Sequence, residues 1–169
     1  AVIVRPNGAP VPSQLGGFAW LNANGTLRTG FSTGATRLSG EITVVALQAD
    51  GRLLLGGAFD NLSNTTSGNL VRFSATGTID TSFNPAPNGA VTGIAVQPDG
   101  RILIVGSFTF VNGVSRNHIA RLDADGRVDV TYDPNASAKI NAIVLQTNGQ
   151  AVVGGTFTTL TPNFTPTAV

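Results

Sequence analysis

Three stretches of this chain are copies of one another at a fixed spacing, and that repetition constrains the fold more than any other feature. The segment from Ile42 (ITVVALQADGRLLLGGAF) returns from Val91 (VTGIAVQPDGRILIVGSF) and from Ile140 (INAIVLQTNGQAVVGGTF), so Gln48, Gln97 and Gln146 lie 49 residues apart, as do Phe59, Phe108 and Phe157. A second set keeps the same spacing: Leu70 to Pro85 (LVRFSATGTIDTSFNP) and Ile119 to Pro134 (IARLDADGRVDVTYDP), with Phe18 to Phe31 (FAWLNANGTLRTGF) as a looser copy. A unit of this size buries its apolar surface by stacking on its neighbours, so the expected architecture is a repeat array and not one closed core.

Each period holds two hairpin signals. Apolar runs flank Asp50-Gly51, Asp99-Gly100 and Asn148-Gly149 in the first hairpin, and Asn24-Gly25, Thr76-Gly77 and Asp125-Gly126 in the second. Dipeptides of this kind mark tight hairpin turns, read here as primed turns with positive φ at the central residues. The spacing predicts strands near 42–47, 52–58, 70–74 and 78–83, repeated with the period. Val44 to Leu47, Leu53 to Leu55 and Ile102 to Val105 are continuous apolar runs, which calls for sheets covered on both faces. Gly-Gly at 56–57 and 154–155, with Val105-Gly106 between them, suits close backbone approach late in the second strand. No segment carries a helical stripe. The expected class is all-β, a β-propeller-like array of four-stranded antiparallel blades.

The phase of the repeat divides the chain into a divergent part-repeat over 1–40, repeats over 41–89 and 90–138, and the first half of a further blade over 139–169. Val4-Arg5-Pro6-Asn7 is similar to Leu160-Thr161-Pro162-Asn163, which places both ends at the same point of the cycle, with insertions at Asn7 to Gly17 and Ser32 to Gly40. The expectation is a circularly permuted array of about three repeats whose split blade is completed from the rest of a longer chain or from another copy. About 4 to 8 blades are needed for closure. The start at Ala1 without Met or signal peptide, and the Thr/Pro-rich stretch before Val169, make both ends look like limits of something longer.

Gln97 to Gly106, Phe108, Asn112-Gly113, Arg116-Asn117, Ile119 to Leu122, Gly126 and Tyr132 to Pro134 together resemble the delta-60 repeat. The likeness covers most of residues 42 to 157. It implies a β-propeller-like fold, a bacterial secreted or surface-attached parent, and a scaffold or interaction role with no catalytic residues to carry over. The first repeat departs from the pattern, with Trp20 where Arg72 and Arg121 stand and Arg28 where Asp80 and Asp129 stand.

Composition narrows the chemistry. With 10 basic and 9 acidic side chains and 11% charged residues, nucleic acid and anionic membranes are not expected partners. The longest apolar runs, about four residues, fall far short of the roughly 20 that span a bilayer. The chain has no Cys, which removes disulfides and thiolate chemistry, and His118 is the single His, which rules out a multi-His metal site. Glu41 is the one Glu, and the repeated Asp residues hold structural places, so no paired-carboxylate hydrolase is expected, and no enzyme.

Asp123, Asp125 and Asp129 resemble half of a calcium loop, although the hairpin reading makes them turn residues. No other cofactor is expected. Arg72 and Arg121, like Arg52 and Arg101, are read as pairing with the repeated Asp residues or facing solvent, with anion or sugar binding between blades as the alternative. Trp20, Arg72 and Arg121 are the residues a ligand would meet. Sequons at Asn24, Asn61, Asn64, Asn135 and Asn163 fit an exposed chain, and the Thr/Pro tail fits a linker or the next inter-strand loop.

The expected function is therefore non-catalytic and structural: assembly with other copies or flanking repeats, extending to a surface filament by head-to-tail blade complementation. The competing expectation is a closed, adhesin-like propeller that binds glycan or protein.

Overall fold

A computed structural model of the chain describes residues 20–26, 38–62 and 68–163. The expected insertion over 7–17, residues 32–37 of the expected insertion over 32–40, Val4 to Asn7, Arg28, Asn64 and the tail beyond Asn163 lie outside the described residues, while residues 38–40 of the second insertion belong to a strand. Among the described residues all regular structure is β.

β1 (Leu38–Leu47), β2 (Leu53–Leu62) and β3 (Leu70–Phe73) form the first sheet in that order, all antiparallel. β4 (Val91–Val96) and β5 (Ile102–Gly106) open the second sheet. A small hairpin follows, β6 (Phe110–Val111) with β7 (Val114–Ser115), before β8 (Ile119–Leu122) closes that sheet as β4-β5-β8. β9 (Ile140–Leu145) and β10 (Ala151–Gly155) make a two-stranded third sheet. The register repeats as the spacing requires: Leu53 pairs with Phe73 and Leu55 with Val71, while Ile102 pairs with Leu122 and Ile104 with Ala120.

The β1–β2, β4–β5 and β9–β10 turns differ from the primed form. Gly51, Gly100 and Gly149 take φ of 82°, 85° and 83°, whereas Asp50, Asp99 and Asn148 do not enter positive φ. Gly51 N donates to Gln48 O at 3.0 Å and Gln48 N to Arg52 O at 2.8 Å, so the single left-handed residue is the glycine that ends the turn. This is the longer hairpin closed by a glycine bulge. Asp50 Oδ1 accepts Arg52 N at 3.0 Å, and that bond holds the aspartate in the turn's right-handed position. Two consecutive positive values occur instead at Asn112 (49°) and Gly113 (75°), in the β6–β7 hairpin.

The expected fourth strand shrinks to single bridges, Phe73 with Ile79 and Leu122 with Val128. Its continuation is cut by a side-chain turn: Asp80 Oδ1 accepts Ser82 N at 3.1 Å, and Asp129 Oδ1 accepts Thr131 N at 2.9 Å. Beyond it Pro85 and Pro87, and Pro134 in the next period, have no N–H to offer a ladder.

One glycine position is set by close approach. A Cβ on Gly57, Gly106 or Gly155 would lie 2.0, 1.9 or 2.3 Å from the carbonyl oxygen of Glu41, Ala90 or Lys139. Each sits beside the irregularity that ends regular pairing of its hairpin, and a side chain there would push the two strands apart.

The sheets stack through their leading strands, with β4 packed against both β1 and β9. Alternation sends neighbouring side chains to opposite neighbours. Leu54 and Leu70 join Ile102, Ile104, Phe108 and Leu122 in the core between the first and second sheets. Leu53, Leu55, Val71 and Phe73 turn the other way, to a core that Trp20 covers. Val105, Ile119, Ala136 and Ile140 form the core between the second and third sheets. Each fully buried Leu, Ile or Phe contributes about 1.5–3 kcal/mol, so the inter-sheet layers carry most of the stability. A hydroxyl ties each pair of sheets: Thr43 Oγ1 donates to Val91 O at 2.7 Å, and Thr92 Oγ1 to Ile140 O at 2.6 Å.

Candidate assembly faces

The repeat lets each position be compared with its own copies, and the comparison singles out the two ends of the stack. Val45 is 54% exposed, while Ile94, one period later, is 9% exposed between the first two sheets. At the opposite end Val152 is 51% exposed, while Leu103, one period earlier, is 2% exposed. Leu47 and Val144 are likewise exposed. Leu21, at the position of Phe73 and Leu122, is 57% exposed where both of those are at 0%. The same strand positions that seal sheet against sheet inside the stack are thus bare at its ends.

The last core is also incomplete. Tyr132, Ile143, Val153 and Phe157 are only partly buried there. Their counterparts Phe83, Ile94, Ile104 and Phe108 are buried between the first and second sheets. On the opposite, outer side of the third sheet Gly154 shows the missing neighbour directly, since a Cβ on it would meet nothing within 4 Å. A Cβ on Gly56, its counterpart, would meet Val91 Cγ1 at 2.8 Å and Ile94 Cδ1 at 3.1 Å from the following sheet.

Two arginines frame these layers. Arg72 Nε and Nη2 reach Asp80 Oδ2 at 2.9 and 2.8 Å, its guanidinium lies 4.2 Å from the centre of the Phe83 ring, and Nη1 donates to the carbonyl of Ala124 in the second sheet's outer turn. Arg121 repeats the first two contacts, with Asp129 Oδ2 at 2.9 and 2.8 Å and the Tyr132 ring at 4.4 Å. Among the described residues it has no counterpart of the third, and its side chain is 19% exposed against 3% for Arg72.

Burial works to raise the Asp80 carboxyl, but hydrogen bonds from Ser82 and Arg72 and the Arg72 charge outweigh it and hold the group below its ordinary value. Burial opposes in the same way at Asp129, where Thr131 and Arg121 prevail. Tyr132 is pushed up by burial against the pull of Arg121.

The remaining sequence candidates take distinct places. Trp20 packs half-buried on the first sheet's outer core beside Leu53 and Phe73. The calcium candidates do not converge: Asp123 Oδ1 accepts Asp125 N and Arg127 N at 2.9 Å, Asp125 Oδ2 faces Arg127 Nη1 at 3.2 Å, and Asp129 is held by Arg121. Among the described residues no group of three His, Cys, Asp or Glu side chains could hold a metal ion. Arg52 and Arg101 pair with Asp50 and Asp99 at 3.3 Å beside their turns. His118 takes φ of 66° in the approach to β8, with its N–H on Phe108 O. Arg116 is buried and reaches Asp133 at 3.6 Å and Val130 O at 3.1 Å, which fixes the turn that carries Tyr132.

Sequence reasoning did not single out Thr43, Thr92, Val45 or Val152, and it read Gly154 with Gly155 as a site of close backbone approach, which holds at Gly155 beside the Lys139 carbonyl but not at Gly154. The signal was present as an equal spacing of small and β-branched residues, but which neighbour each faces requires the strand register. No helix among the described residues is long and apolar enough to cross a membrane.

The family model described as Domain of unknown function (DUF5122) beta-propeller matches residues 48–83 and 97–132, two stretches in the same phase of successive repeats. Together with the antiparallel sheets, the match supports a β-propeller-like repeat architecture. No curated protein and no solved structure matches the chain.

Proposed function

We propose that the chain is a non-catalytic structural module, a run of delta-60-type propeller blades in a bacterial secreted or surface protein, whose work is protein–protein assembly. The observation that carries this reading is the exposure of blade-facing positions at both ends of the stack, Val45 and Leu47 at one and Val144 and Val152 at the other. Contiguous apolar surface of this kind marks an interaction site in a soluble protein, and here it has the shape of an interface already used twice within the chain. The spaced motifs around Gln97 to Pro134 support the surface setting through their resemblance.

Light scattering with negative-stain microscopy on the chain across a concentration series tests the proposal. Association that grows with concentration, into discs or filaments, is expected. A chain that stays monomeric to its solubility limit overturns it. Discs mean closure of a propeller, and filaments a heterologous contact whose rotation does not close.

A further inference from the structure

We infer that the two ends are the halves of one joint between copies of this chain, in which the third sheet of one copy is completed by the Trp20–Thr26 turn of a second; this rests on the assembly reading above. Among the described residues of the first copy no strand pairs with β10 at the edge where β2 receives β3 and β5 receives β8. Carried over by the repeat, that register sets Ala151 opposite Leu21 and Val152 opposite Trp20 of the second copy. Leu21 then faces the incomplete core around Val105 and Ile119, as Leu122 faces the core before it.

Three further contacts follow from the same superposition. Gly154 of the first copy receives Val45 of the second, as Gly56 receives Ile94 within the chain. Asn141, which stands where Thr43 and Thr92 stand and has no counterpart of their inter-sheet bond among the described residues, comes to the Ile42 carbonyl of the second copy. Arg121 takes the carbonyl of Ala23, the residue that occupies the turn position of Ala75 and of Ala124, the Arg72 partner. The occupant is a second copy because the bare sites at one end match, position by position, the groups displayed at the other. The contact is heterologous, with different surfaces on the two partners.

Single-ended variants test this on the full chain. Val45→Lys blocks one half of the joint and Val152→Lys the other; both residues are exposed, so each variant should melt like the parent at low concentration. By sedimentation velocity each alone is expected to remain monomeric, while their equimolar mixture forms a dimer that grows no further, because each supplies the half the other lacks. Arg121→Gln added to the Val45→Lys copy should weaken that dimer at least about tenfold. The same change on the Val152→Lys copy should leave its affinity unchanged. A mixture that stays monomeric while the unmodified chain assembles overturns this joint and leaves the assembly proposal standing. An Arg121→Gln effect independent of which copy carries it overturns the arginine contact. Failure of the unmodified chain to assemble overturns both.

Discussion

Replacing Arg72 and Arg121 separately by Met should separate two sites that are nearly identical in sequence. Met keeps an apolar stem over the Phe83 or Tyr132 ring and removes the charge in both cases. The shared loss is the two-point pair with an aspartate that stays partly solvated, which places it below the roughly 3–5 kcal/mol of a fully buried pair, at about 2–3 kcal/mol. The ring contact adds about 0.5–1 kcal/mol. Arg72 alone also bonds the Ala124 carbonyl, and a hydrogen bond to a charged group contributes roughly 1.5–3 kcal/mol. The expected totals are about 4–7 kcal/mol for Arg72→Met and about 2.5–4 kcal/mol for Arg121→Met, a difference near 2 kcal/mol. With a urea m-value of roughly 1–3 kcal/mol/M, the midpoint should fall about 1 M further for Arg72→Met. Both are measured in the Val152→Lys background to keep the chain monomeric, by far-UV circular dichroism and by Trp20 fluorescence, which reports the outer core of the first sheet. Equal shifts at unchanged m, or a larger shift for Arg121→Met, refute the claim that the Ala124 contact ties the sheets and that Arg121 lacks its equivalent.

The repeat offers further matched pairs. Gly106→Ala should cost more than about 3 kcal/mol or prevent folding, because its Cβ falls 1.9 Å from the Ala90 carbonyl, whereas Gly154→Ala, with nothing within 4 Å, should be neutral or stabilising in thermal melts. Thr92→Val removes the donor to Ile140 O and should cost about 1 kcal/mol, with faster amide exchange confined to β9 and β10. Acid should destabilise the fold through Asp80 and Asp129: both are held low, so their contribution is complete above the unfolded value of about 3.9 and is lost as pH falls through the folded values. Asp80→Asn with Asp129→Asn should therefore flatten the dependence of Tm on pH between about 5 and 2, and an unchanged slope would show that other carboxylates govern it.

The period, the hairpins and the two-sided burial were all legible, because copies at Gln48, Gln97 and Gln146 average out local accidents and Asp-Gly turns speak through backbone geometry. The turn type was not. Asp-Gly fits both a primed turn and a glycine-bulged one, and the Asp50 side-chain bond to Arg52 N that decides between them is a three-dimensional fact. The fourth strand over 78–83 was read from the hairpin signals at Thr76-Gly77 and Asp125-Gly126, yet Asp80 and Ser82 close a side-chain turn inside it, a competition that propensity does not register. The assembly faces were the least legible part. Val45 and Ile94 look alike in sequence, and only the count of sheets on either side makes one a surface and the other a core.

The pairs that face each other across the first two strands of each sheet are Val44 with Gly56, Gly93 with Val105, and Ala142 with Gly154. Bulk changes strand from the first sheet to the second and vanishes in the third, and a Cβ on Gly93 would already strike Val105 and Ile143 at 2.7 and 3.0 Å. Hairpins that look interchangeable therefore differ in which strand carries the bulk: a hybrid of the first strand of one with the second strand of the next would set Val44 against Val105, and the reverse hybrid would set Gly93 against Gly56 and leave a hole. The unit such an array can duplicate or exchange is therefore the intact hairpin, in which the valine and the glycine facing it travel together.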